Sequence, residues 1–180
     1  ADAAREMLLA FRETLGLPDA RLEATMEAKL AVAAQIRALR PRAVILPYWE
    51  GRHPDHYRTA EIAYEACFLA GLKKLDLVGE PHRPAKILYS ALYANVRPTF
   101  VLDITGQFER RQRALFCYKS QFEDQPSGAG LFPQREEMAE RLRSLARYYG
   151  MLIGVAYGEP YVVKEMIRVD DVVEMPVRSI

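Results

Sequence analysis

The sequence predicts an α/β fold with a mostly parallel sheet flanked by helices, and three observations carry that expectation. An amphipathic helical pattern runs from Thr25 to Arg40, with Val32, Ile36 and Leu39 on one face and Lys29, Arg37 and Arg40 mostly elsewhere. The continuous apolar run Ala43-Val44-Ile45-Leu46 follows Pro41, as expected of a strand buried on both faces of a parallel sheet. A second helical pattern then carries Ile62, Ala66 and Leu69 between Tyr57 and Leu72. Helix, strand, loop and helix in this order are the parts of a βαβ unit.

Size and composition bound the function classes. A chain of 180 residues with 50% hydrophobic and 27% charged residues is expected to form one domain around a substantial core. A net charge of +1 gives no reason to expect nucleic acid or an anionic membrane as a partner. No apolar run approaches the ~20 residues that span a bilayer, and the first residues lack the apolar stretch of a signal peptide, so a cytoplasmic protein is expected. Cys67 and Cys117, fifty positions apart, fit small core residues better than a disulfide or a zinc knuckle.

In chain order, Ala1 to Leu9 is rich in helix formers but opens without a capping signal. Leu15-Gly16-Leu17-Pro18-Asp19 has turn chemistry, because Pro18 fixes φ and Asp19 can bond nearby backbone. The polar connection from Asp76 to Pro84 reads as a surface loop, and His82 within it has no second ligand to pair with. Ile87 to Tyr93 and Phe100 to Ile104 read as a pair of strands, antiparallel at the sheet edge. Gln107 to Tyr118 reads as a helix with Arg110, Arg111 and Arg113 on a solvated face. Residues 125–130 have the composition of a mobile loop. A long helix from Gln134 to Tyr149 is expected to end at Gly150, and the tail from Tyr157 alternates as edge strands do.

The chemistry concentrates between the apolar strand and the second helix, at Arg52-His53-Pro54-Asp55-His56. The sequence holds three histidines, and two of them stand here three positions apart, on one face of a first helical turn. Pro54 suits that turn because its missing N–H would have no intrahelical partner. Imidazole is a common zinc ligand, and a carboxylate such as Asp55 can orient a neighbouring ring. In open α/β sheets such a loop, beyond the carboxyl end of a strand, lies where ligands bind.

This string and Glu65-Ala66-Cys67-Phe68-Leu69-Ala70-Gly71-Leu72 together resemble the LmbE/PIG-L family of zinc-dependent N-acetyl-sugar deacetylases, particularly the bacillithiol-biosynthesis branch. The resemblance extends to Arg12 through Asp19, Pro81-His82-Arg83, Tyr118 through Phe122, and Gly154 through Glu159. It implies a Rossmann-like domain over residues 1–180 that lacks the family's first strand and helix, since the Ala-His-Pro-Asp-Asp motif is absent. It further implies hydrolysis of an N-acetyl group on an amino sugar, with N-acetylglucosaminyl-malate as the substrate of that branch, Zn2+ as cofactor, and a homo-oligomer. On this resemblance His56 is a zinc ligand. His53 stabilises the oxyanion or protonates the leaving amine, and Asp55 holds His53 in orientation. Arg83, Asp19 and Arg52 contact the substrate. A chain short of metal ligands would by itself be inactive. The alternative is a non-catalytic sugar-binding or assembly module.

Overall fold

The computed structural model describes residues 1–91, 95–122 and 133–177. Its elements in order are α1 (Asp2–Glu6), α2 (Met26–Leu39), β1 (Ala43–Pro47), α3 (Pro54–Ala70), β2 (Lys86–Ser90), β3 (Phe100–Asp103), α4 (Phe108–Leu115), α5 (Lys119–Phe122), α6 (Arg135–Ile153) and β4 (Gly158–Val162). The strands form one sheet in the order β1-β2-β4-β3. β1 and β2 run parallel, with Ala43 opposite Lys86 and Pro47 opposite Ser90, whereas β2 and β4 run antiparallel. The α/β class is therefore as expected, with a mixed sheet.

Two compact units share the chain: Leu15–Phe100 with Pro160–Ile180, and Ala1–Thr14 with Val101–Glu159. In the first, α2 begins where Thr25 accepts a hydrogen bond from the Ala28 amide at 3.2 Å, and it ends at Arg40 in the left-handed region. α2 and α3 meet through small residues, Ala33, Ala66 and Ala70, all fully buried beside Ile36 and Cys67. Small side chains let the two helix backbones approach closely, and burial pushes the Cys67 thiol up to about 11. Leu46, Ala60, Ala63 and Tyr89 form the adjoining cluster, and a Leu buried this fully contributes about 1.5–3 kcal/mol.

Arg37 is 4% exposed, so it belongs to the buried side of α2, while Leu39 is 52% exposed, the reverse of the sequence expectation. The guanidinium reaches the last turn of α3 and the loop beyond it. Its Nε donates to the Ala70 carbonyl at 3.0 Å, and its two Nη atoms donate to the Leu72 carbonyl at 2.8 Å, the Gly79 carbonyl at 3.0 Å and the Leu77 carbonyl. Helix C-terminal carbonyls carry partial negative charge, so this pocket suits a cation without a carboxylate partner. Gly79 has φ +88°, and a Cβ there would press on Arg37 at 3.3 Å. His82 also ties this loop down, with its ring Nε2 2.8 Å from the Pro41 carbonyl oxygen.

Several other expectations are corrected. β1 is buried on one face only, since Ile45 is 59% exposed, and it stands at the sheet edge where nothing among the described residues covers that side. β2 does not pair with β3. β4 lies between them, so the tail strand is internal to the sheet. In the second unit, α6 continues through Gly150 to Ile153 and is capped by Gly154 at φ +74°. Gly150 serves close approach instead, because a Cβ there would meet the Val155 carbonyl at 2.7 Å and the Tyr157 amide at 2.9 Å. Phe108, stacked on Tyr157 at 4.0 Å, anchors α4 with Ile104 and Ala146. Arg111 and Arg113 pair with Glu159 and Glu6. The proposed loop at 125–130 and the end of the strand read to Tyr93 lie outside the described residues.

The Arg37 network generates the first prediction. Arg37→Met should lower the unfolding free energy by about 3–5 kcal/mol, because four carbonyls lose a charged donor. Urea unfolding would show it as a lower midpoint at unchanged slope. A loss under about 1 kcal/mol would mean that water satisfies those carbonyls equally well.

Candidate functional site

The N-terminus of α3 is assembled from the local sequence. His53 has extended backbone angles (φ −96°, ψ 119°) and acts as the N-cap, its Nδ1 accepting the Asp55 amide hydrogen at 3.2 Å. Pro54 occupies the first helical position, where no donor is needed. Asp55 adds a negative charge to the first turn, where the helix dipole favours it. The His53 and His56 rings stack with centroids 4.9 Å apart and planes inclined by 24°. Both histidines are exposed.

The cap has a chemical consequence. A neutral imidazole whose Nδ1 accepts a hydrogen bond carries its proton on Nε2. His53 thus presents an Nε2–H donor to solvent, whereas no hydrogen bond among the described residues fixes the His56 ring. Zinc-ligating histidines ordinarily donate their second nitrogen's hydrogen to an oxygen acceptor, and His53 does the opposite. The pair is chemically unequal despite its symmetry in sequence.

The Asp55 backbone amide, not its carboxylate, bonds the His53 ring. The carboxylate instead accepts the Ala20 amide at 2.7 Å and the Leu22 amide at 3.3 Å. Ala20 sits in the left-handed region at φ 59°, a conformation costing a non-glycine residue roughly 1–2 kcal/mol. One carboxylate therefore holds a strained turn, and with it Asp19, against the start of α3. Asp19 and Arg52 are exposed at this end.

Arg83 is not brought to the histidines. Its guanidinium lies 4.9 Å from the Phe68 ring centre, and its side chain covers Gly71, both at the C-terminal end of α3. His56 and Phe68 are separated by twelve helical residues, about 18 Å of rise. The parallel register explains the separation: Arg83 precedes the start of β2, which lies beside the start of β1, while His53 follows the end of β1.

An aromatic cluster beside α3 was not foreseen from the sequence. Trp49 packs between Tyr48 at 4.2 Å and Tyr89 at 4.7 Å, and the Lys164 ammonium lies over Tyr64, Trp49 and Tyr89. Burial and the Glu50 charge push the Tyr48 hydroxyl up from its ordinary value. The spacing of His53, Tyr57, Glu61 and Tyr64 at helical intervals was the available signal. The contribution of Lys164, more than ninety residues away, was not.

A family model described as PIG-L, GlcNAc-PI de-N-acetylase, matches residues 1–67. The solved structure of a conserved protein from Thermus thermophilus is 33% identical, with a TM-score of 0.81 over 94% of this chain and 73% of that one. Over its first 67 residues the chain is thus similar to the PIG-L de-N-acetylase family. A diacetylchitobiose deacetylase from Thermococcus kodakarensis is 30% identical over 154 residues, 81% of this chain and 53% of the relative. The chain thus spans about half the length of that relative. The structure of the N,N'-diacetylchitobiose deacetylase from Pyrococcus horikoshii in complex with an inhibitor is 27% identical, with a TM-score of 0.73 over 89% of this chain and 59% of that one.

The Asp55 bridge yields the second prediction. Asp55→Ala should release the turn, and hydrogen exchange at the Ala20 and Leu22 amides should accelerate about tenfold or more. Unchanged exchange at both amides would show that the turn is held by other contacts.

Proposed function

We propose that this chain contributes to hydrolysis of the N-acetyl group of an amino sugar, with the reacting acetamide at the N-terminus of α3. The observation that carries the reading is the unequal histidine pair at the carboxyl end of β1, where α/β folds bind ligands. The related sugar deacetylases support the reaction class.

In this reading water adds to the acetamide carbonyl, the C–N bond breaks, and acetate and a free amine leave. The His53 Nε2–H donates to the carbonyl oxygen as it gathers negative charge. A donor held in place before reaction stabilises such charge without reorganising, and losing one costs about 10²–10³ in turnover. Asp55 fixes both partners of that geometry: its amide sets the His53 tautomer and its carboxylate holds the Asp19 turn beside it. Asp19 and Arg52 are the proposed sugar contacts.

Deacetylases of this family are generally metal-dependent. A catalytic zinc would polarise the amide and lower the pKa of its bound water to about 7. Among the described residues no three His, Cys, Asp or Glu side chains converge, so they do not by themselves fit zinc's usual set of three protein ligands. His56, whose ring has no hydrogen bond among the described residues, is the side chain proposed to supply one nitrogen to the zinc.

The narrower substrate, N-acetylglucosaminyl-malate in bacillithiol biosynthesis, rests on the motifs between Arg12 and Glu159. Arg83 adds nothing to it from its position at the far end of α3. The test is acetate release by the intact native protein from that conjugate, from N,N'-diacetylchitobiose and from N-acetylglucosamine. We expect turnover of at least one. His53→Ala should reduce kcat about 10²–10³-fold with metal content retained, and His56→Ala should lose metal. Sugar binding without any acetate release would favour the non-catalytic module instead. Equal metal loss in both variants would contradict the division of roles.

A further inference from the structure

The net charge of +1 describes the whole chain and hides how its charges are placed. Six cations gather at the end of α3 opposite the histidines: Arg40 and Arg42 between α2 and β1, Lys73 and Lys74 just past α3, and Arg83 and Lys86 at the entry to β2. Backbone contacts hold these segments together. The Ala85 and Lys86 amides donate to the Arg42 carbonyl at 2.9 and 3.2 Å, the His82 amide donates to the Ala70 carbonyl at 3.0 Å, and Arg83 lies over Phe68 in α3. All six cationic residues are exposed, and none joins a salt bridge among the described residues. Asp76 and Glu80 are the carboxylates in the same two segments, 39–43 and 68–86.

Cations near a helix C-terminus ordinarily answer the partial negative charge of its last carbonyls. Here the buried Arg37 already takes the Ala70 and Leu72 carbonyls beyond α3, which leaves the exposed cations without that role.

Large apolar side chains stand among these charges. Leu39 precedes Arg40 and is exposed, Phe68 is 55% exposed, and Val78 is 87% exposed between the two loop carbonyls that bind Arg37. A nucleic acid would meet the cations but not this apolar set, because aliphatic chains do not stack on bases and Arg83 covers one face of Phe68. An anionic bilayer answers both, with phosphates at its surface and an apolar layer beneath.

We propose that this end of the Leu15–Phe100 segment docks peripherally on anionic phospholipid bilayers, its apolar side chains entering the headgroup layer and its cations meeting the lipid phosphates. α3 is 17 residues long, about 25 Å, so docking leaves the histidines in solvent and beyond a Debye length of about 8 Å. The proposal stands apart from the amino-sugar reading, since the two use opposite ends of α3.

Flotation of the intact native protein with lipid vesicles tests the proposal. The protein should bind vesicles of mixed phosphatidylglycerol and phosphatidylcholine but not of phosphatidylcholine alone. Raising salt from about 0.1 M to about 1 M, which shortens the Debye length from about 10 Å to about 3 Å, should release it. Each Lys or Arg near an anionic surface strengthens attachment about fivefold, so the double variant Lys73→Gln, Lys74→Gln should weaken binding about 25-fold. Val78→Ser should weaken it about tenfold, the factor for losing one Val side chain from an apolar setting. All three positions are exposed, so these variants report on attachment and not on folding. No binding to the mixed vesicles, equal binding to phosphatidylcholine alone, or binding unchanged in either variant would overturn the proposal. A DNA duplex bound more tightly than the mixed vesicles, and indifferent to Val78→Ser, would assign the face to nucleic acid and overturn it as well.

Discussion

The guanidinium of Arg37, buried among four backbone carbonyls, is the interaction on which the placement of α3 depends. A buried charge must be fully partnered or it costs several kcal/mol, so this contact tolerates little displacement. It joins α2 to the last turn of α3 and to the loop that leads toward β2. Sliding α3 along α2 would break several bonds at once. The alanine-rich seam between the helices acts the same way, because small side chains leave no slack for a shifted register.

With its C-terminal end fixed, α3 presents its N-terminal end at a determined position beyond β1. There the constraints are local: His53 caps the helix with its own ring, Pro54 starts it, and the Asp55 carboxylate draws in the strained turn at Ala20. These few interactions convert two histidines of similar sequence context into groups with different chemistry. Function in this reading lies in which ring nitrogen carries a hydrogen.

Much of this was legible in the sequence, because it is set by neighbours. The start of α2 near Thr25, the role of Pro54 and the placing of His53 and His56 on one helical turn all follow from residues within one turn of each other. What could not be read depends on distant segments. Arg37 was indistinguishable from a solvated arginine until the loop at Leu77 and Gly79 was placed around it. Gly150 carried the composition of a helix stop, but its need was close passage of Val155 and Tyr157. The apolar run at β1 suggested burial on both faces, whereas Ile45 is exposed at a sheet edge. Arg83 was assigned to the substrate by resemblance alone; the parallel register puts it at the opposite end of the strands from His53.

The tautomer of His53 decides whether its ring can offer the proposed donor, and two-dimensional ¹H–¹⁵N correlation of the histidine rings measures it directly. If the cap is as described, the neutral His53 ring carries its hydrogen on Nε2, and its Nδ1 shows the shift of a hydrogen-bonded lone pair. A hydrogen on Nδ1 would contradict the account, since His53 could then neither accept the Asp55 amide nor offer the donor on which the proposed chemistry depends.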